Sequence, residues 1–142
     1  MRLDGGILGI IAAGEPMFRC APRDRALALN LAPGVPPPRW LVACVAFRVE
    51  GAPFGVASRA IALWRASVAQ DWSERYGDAV RAWETLVGPP RSGACFRHDG
   101  WRRVGYTTGR GARRPGGHGH SKRIWIDTGE RKMVLLRRAE IQ

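Results

Sequence analysis

Apolar residues fall in short runs punctuated by Gly and Pro over most of the chain, and one long segment in the middle breaks that rule. Gly6–Ala13 is apolar, ends at Gly14, and predicts a buried strand. Glu15-Pro16 predicts a turn into Met17–Cys20, a second strand. Pro22–Leu29 predicts a short helix, with Pro22 tolerated at its first position. Pro33–Pro38 holds four prolines and cannot pair inside a sheet, so it predicts a loop. Trp40–Phe47 is apolar throughout, as a strand covered on both faces would be.

From Val56 to Tyr76 the period changes. Ile61, Trp64, Val68 and Trp72 recur at three- and four-residue spacing, one apolar stripe down one face of a helix that Gly77 ends. Ala79–Val87 predicts the next strand, stopped by Gly88-Pro89-Pro90. Strand, crossover helix and strand make a βαβ unit, so the two strands should be parallel neighbours. Ser92–Gly100 predicts a short helix or turn and Trp101–Thr107 a strand. Thr108–Ser121 predicts a Gly/Arg/His-rich loop, and Lys122–Asp127 with Arg131–Leu136 a hairpin across Thr128-Gly129-Glu130. The whole predicts one α/β (α+β) domain over residues 1–142, with a mixed twisted sheet, a central βαβ unit and few helices.

Charge adds a partner to this picture. Lys and Arg number 23 against 12 Asp and Glu, a formal charge of +11. Such a surplus favours a polyanion, because each cation that neutralises a phosphate releases a condensed counterion. The basic residues crowd the C-terminal third, where Arg97, Arg102, Arg103, Arg110, Arg113 and Arg114 suit forked phosphate contacts and Trp101, Tyr106 and Trp125 interleave as candidate base-stacking rings. Aromatic residues in strands are also ordinary core. Cys20, Cys44 and Cys95 have neither disulfide nor zinc spacing, which fits a reducing cytoplasm. Gly6–Ala13 is too short to span a membrane. His118-Gly119-His120 lacks a third ligand nearby, so no metal is expected.

Two places offer chemistry. A strand that opens after Phe47 into a Gly-containing loop and a helix presents free N–H groups and a positive dipole end to an anion. Arg48, Gly51, Gly55, Val56, Ala57 and Ser58 would form that site, although every βαβ unit has such a connector. Ser58 in the first helical turn and Glu84 near the end of the next parallel strand could face one cleft. The structural alternatives are a helix cap for Ser58 and an ion pair with Arg59 or Arg81 for Glu84. A Ser58, His98 and Asp99 triad can also be drawn, but without a nucleophile-elbow sequence.

Ala94–Trp101 followed by Gly105 resembles the late segment of GNAT (N-acetyltransferase-like) proteins. More narrowly, Val56-Ala57-Ser58-Arg59-Ala60, Asp71-Trp72, Arg75-Tyr76-Gly77, Glu84-Thr85-Leu86-Val87, Cys95-Phe96-Arg97, Trp101 and Gly109-Arg110-Gly111 resemble the Druantia DruA-like family and its relatives, the phage Mom-type DNA modification proteins. Arg23-Asp24-Arg25 is similar to an upstream family segment. The resemblance runs from about Gly9 to Ile126 and is strongest between Ala57 and Gly111.

That resemblance implies a GNAT-like fold and a transferase that adds a carbamoylmethyl group to the exocyclic amine of adenine in double-stranded phage DNA, blocking host restriction. It implies Ser58 as a donor contact and Glu84 as proton acceptor. Phe96 replaces the family's hydroxyl-bearing ring and His98-Asp99-Gly100 its Ala-Ala-Asn, so the family's tyrosine acid is absent and its amide–base contact would pass to His98 or Asp99. The donor is open: coenzyme A (as acetyl-CoA), an aminoacyl carrier and other metabolites all suit an anion-binding loop. Two rival readings are a GNAT-type acetyltransferase of a protein or small-molecule amine, and a non-catalytic nucleic-acid-binding defence or counter-defence protein. Nothing in the sequence fixes the oligomeric state, and a homodimer stays open.

Overall fold

The computed structural model describes residues 2–3, 6–113, 124–127 and 129–140, with 2–3, 6–7, 110–113 and 124–127 as backbone alone. Strands β1 (Arg2–Leu3) and β2 (Gly6–Ile7) pair with each other. A five-stranded mixed sheet follows, in the order β3 (Gly9–Gly14), β4 (Leu41–Val49), β5 (Ala82–Val87), β9 (Met133–Arg138) and β6 (Arg102–Tyr106). β4 and β5 are parallel, as a βαβ unit requires, and the other pairings are antiparallel. The helices are α1 (Ala21–Ala26), α2 (Val56–Tyr76) and α3 (Ala94–His98). The fold is a mixed α+β fold with three helices among the described residues.

α2 is the βαβ crossover and lies where the apolar period placed it. Ile61 is wholly buried, Trp64, Val68 and Trp72 pack against the same core, and Gly77 closes the helix at φ 75°. Trp64 meets Trp83 of β5 with ring centroids 5.3 Å apart. Val42, Cys44, Trp83 and Leu135 complete this core on the α2 face of the sheet. α1 covers the other face over β6 and β9.

Three expectations need correction. The segment from residue 131 to 136 does not form a hairpin with 122–127: β9 inserts between β5 and β6, while β8 (Ile124–Asp127) pairs with β7 (Arg110–Arg113), inside what reads as a loop. The cause is apolar burial. Val134, Leu135 and Leu136 are at most 6% exposed, and successive residues point to opposite faces, so their strand needs cover on both sides. Met17–Cys20 is not a strand, because the carbonyls of Met17 and Phe18 accept hydrogen bonds from Arg23. The Gly6–Ala13 run divides into β2 and β3.

Candidate active site

The site begins with a fault in β4. Ala12 pairs with Ala46 but Ala13 pairs with Cys44, so Val45 is an extra residue and the strand is bulged there. β4 and β5 pair only from Leu41 with Ala82 to Cys44 with Thr85, where the Thr85 hydroxyl donates to the Cys44 carbonyl at 3.2 Å. β4 then runs on to Val49 without β5, which continues to Val87 beside β9. The two strands part at their C-terminal ends, the end at which parallel sheets take ligands.

The connector into α2 carries two left-handed glycines, Gly51 at φ 61° and Gly55 at φ 84°, and Gly55 occupies the helix-cap position. Val56 N–H donates to the Pro53 carbonyl and Arg59 N–H to that of Gly55. The amides of Ala57 and Ser58 have no partner among the described residues and sit at the positive end of a 21-residue helix. Ser58 is therefore not the cap. Its hydroxyl is half-buried, makes no hydrogen bond among the described residues and lines a cleft.

That cleft is about 500 Å³ in volume. Val49, Gly51, Ala52, Pro53, Phe54, Gly55, Ala57 and Ser58 form one wall, and Ala94, Cys95 and His98 of α3 form the other. Among the described residues no carboxylate lines it. Phe54 stands almost fully exposed at the mouth, edge-on to His98 with centroids 6.1 Å apart. Burial pushes the Cys95 thiol up, keeping it protonated and a poor nucleophile. Of the residues expected to hold a donor, Gly51, Gly55, Ala57 and Ser58 line the cleft. Arg48 and Val56 do not, and Arg48 pairs with Glu50 at the surface.

Glu84 lies elsewhere. Its neighbour Trp83 faces α2, so alternation turns Glu84 to the α1 face, where Arg23 Nη1 donates to its Oε2 at 3.0 Å. Both side chains are closed to solvent, at 0% and 2% exposure. Arg23 also donates to Asp24 and to the Met17 and Phe18 carbonyls. Burial pushes the Glu84 carboxyl up, and the Arg23 contact offsets only part of that. Ser58 and Glu84 thus do not share the cleft, and the carboxylate's partner is neither Arg59 nor Arg81. Arg23 was legible in sequence only through the Arg23-Asp24-Arg25 match.

Trp101 is also misread as a stacking ring. It is 2% exposed, packs on Phe96, and donates its indole N–H to Asp99 at 2.8 Å. Asp99 is gripped by the Arg65 fork at 2.7 and 2.8 Å and is not hydrogen-bonded to His98, so no triad exists. Phe96 is core, against Phe47 and Trp101. Arg97, Arg102 and Arg103 are exposed. Arg110 and Arg113 fall in β7, where only backbone is described; Arg114, His118 and His120 lie outside the described residues. No helix among the described residues is long and apolar enough to cross a membrane. The chain matches no known protein-family model, and no curated protein is significantly similar to it.

Proposed function

We propose that the protein is a transferase that moves an acyl or alkyl group from a phosphate-bearing donor to an amine of nucleic acid. The observation that carries this reading is the parting of β4 and β5 beside a helix start whose two amides and one hydroxyl have no partner among the described residues. A donor phosphate would accept from the Ala57 and Ser58 amides, where the helix dipole favours negative charge. The donor's reactive arm would lie in the gap along the β4 edge, with Ser58 hydrogen-bonded to it. The acceptor nitrogen would attack the donor carbon, the bond from that carbon to its leaving group would break, and the amine proton would pass to a base.

Within the cleft that base would be His98, whose imidazole lines it from α3. Glu84, closed behind Arg23, positions β5 rather than touching reactants. The resemblance to Mom-type proteins narrows the reading to a GNAT-like enzyme acting on the adenine exocyclic amine in phage-type anti-restriction DNA modification in the cytoplasm. In a duplex that base would have to be flipped out to reach the cleft. Mass spectrometry of nucleosides from DNA co-expressed with the protein is expected to show a mass-shifted adenine. Unmodified nucleosides, together with acetyl-CoA turnover on peptide or small amines that ignores added DNA, would replace this reading with an ordinary acetyltransferase.

A further inference from the structure

The chain has two tyrosines, and each ring is flanked by two arginines: Tyr76 by Arg39 and Arg75, Tyr106 by Arg103 and Arg131. Their settings differ. Tyr76 ends α2, 21 residues and about 30 Å from the cleft, and packs on Trp72 at 4.6 Å. Tyr106 ends β6, an edge strand of the sheet.

Register places Tyr106 relative to the cleft. Tyr106 pairs with Met133 and Met133 with Val87, so the three side chains share one face, the α2 face that carries the core. β6 and β5 are both antiparallel to β9, so β6 runs parallel to β5 and β4, and Tyr106 lies at the same end of the sheet as the parting strands. Three strand spacings, about 14 Å, separate β4 from β6. Gly93 seats the start of α3 on Val87 and Leu135, between the two.

The surface is built for a flat, anionic partner. The Tyr106 ring is 41% exposed, and the Arg103 and Arg131 guanidinium carbons stand 5.5 and 5.7 Å from its centroid. Arg103 donates to the Tyr106 hydroxyl at 3.0 Å and Arg131 to the Thr107 carbonyl at 3.2 Å, so both cations are held against the ring. Neither arginine pairs with a carboxylate among the described residues, nor do exposed Arg97 and Arg102. The adjacent carboxylate, Glu130, lies against Gly88.

We infer that the Arg103–Tyr106–Arg131 cluster is the binding platform for an unpaired nucleic-acid strand that leads on to the cleft, with a base against the exposed part of the Tyr106 ring and flanking phosphates on the two arginines. The unpaired form is required because bases inside a duplex already cover one another's faces, whereas an exposed ring needs a free π-face. The inference rests on the proposed function only in its claim that the strand leads to the cleft; the contact itself does not need the reaction.

Fluorescence anisotropy with a labelled single-stranded DNA oligonucleotide and its duplex tests it. Tyr106→Ala is expected to weaken single-strand binding about tenfold and duplex binding much less, since stacking contributes roughly five- to hundredfold per base. Tyr106→Phe, which keeps the ring, should bind within about threefold of wild type. Paired Arg103→Gln and Arg131→Gln substitutions should lower the salt slope by about 1.4, that is ~0.7 per phosphate on a single strand. Tyr76→Ala should leave affinity unchanged. An equal loss from Tyr76→Ala and Tyr106→Ala would overturn the inference in favour of diffuse charge, as would a Tyr106→Ala protein that melts like wild type and binds the single strand as tightly. Modified DNA with Tyr106→Ala binding intact defeats the platform and leaves the reaction standing. Absent modification with the tenfold loss present does the reverse.

Discussion

On the α1 face of the sheet, Glu84 is sealed behind a guanidinium that itself has no exposed surface; on the α2 face, Ser58 and His98 stand at an open cleft. One residue of register decides between these fates. Trp83 and Glu84 are neighbours on β5, yet Trp83 packs against Trp64 of α2 and Glu84 meets Arg23 near α1. A buried carboxylate tied to a buried arginine is a structural commitment, since withdrawing either partner strands the other's charge. A hydroxyl and an imidazole at a cleft carry little of the fold and are available for chemistry. The difference teaches that an acidic residue in an apolar strand is a catalytic candidate only once its face is known.

The strongest way to break this comparison is at Glu84. Glu84→Ala leaves Arg23 buried without its long-range partner and should cost about 3–5 kcal/mol, read from urea unfolding. Glu84→Gln retains a carbonyl for Arg23 and should cost roughly 1–2 kcal/mol. Per mole of folded protein, the Gln variant should form product at a rate near wild type. A Gln variant as stable as wild type but unable to form product would put Glu84 back among the reacting groups.

A second carboxylate sharpens the contrast through pH. Burial opposes ionisation of Asp99, but the Arg65 fork, the Trp101 N–H and the nearby Arg137 outweigh it and hold the group below its ordinary range. Its stabilising contribution is therefore present above about pH 4 and lost as pH falls through the lowered value. Glu84 has the opposite sign: its raised pKa means the folded state binds the proton more tightly. That contribution is present below about pH 4 and lost as pH rises through the raised value. Arg65→Ala should cost about 2 kcal/mol near neutrality and less in acid. Glu84→Gln should gain on wild type as pH rises from about 4. Unfolding curves across that range check both, and parallel pH profiles for the two variants would refute the assigned environments.

Local pattern carried much of the scaffold. The Ile61, Trp64, Val68 and Trp72 stripe, the closing Gly77 and the βαβ logic are all local, and each is observed. The connector wall of the cleft was legible for the same reason, since a strand, a glycine loop and a helix start are contiguous. His98 enters the sequence reading only through the Ser58, His98 and Asp99 grouping and the resemblance, and Cys95 only through the resemblance, because α3 reaches the cleft from some forty residues downstream along the chain. Arg23 and Glu84 are 61 residues apart, a pairing no local period encodes. The mostly apolar surroundings of Glu84 lack the alternation that would have revealed its face. Composition alone does not place β9, because Met133–Leu136 suits a hairpin edge and a sheet interior equally; only burial on both faces separates them. Trp101 shows the same limit, an aromatic residue among arginines that turns inward to Asp99.

The smallest expected effect on the fold is also the most telling about the cleft. Ser58 is half-buried, is not a helix cap, and has no hydrogen-bonded neighbour among the described residues. Ser58→Ala should therefore change unfolding free energy by less than about 0.5 kcal/mol, as for a surface position without special contacts. If the hydroxyl holds the donor, the same variant should lose about tenfold in product formation, one hydrogen bond's worth of binding. That pairing separates the two faces cleanly: Glu84 is expected to carry stability with little of the rate, and Ser58 rate with almost no stability. A Ser58→Ala protein that melts well below wild type would show that the hydroxyl belongs to the scaffold after all, and the cleft would lose its one polar side chain on α2.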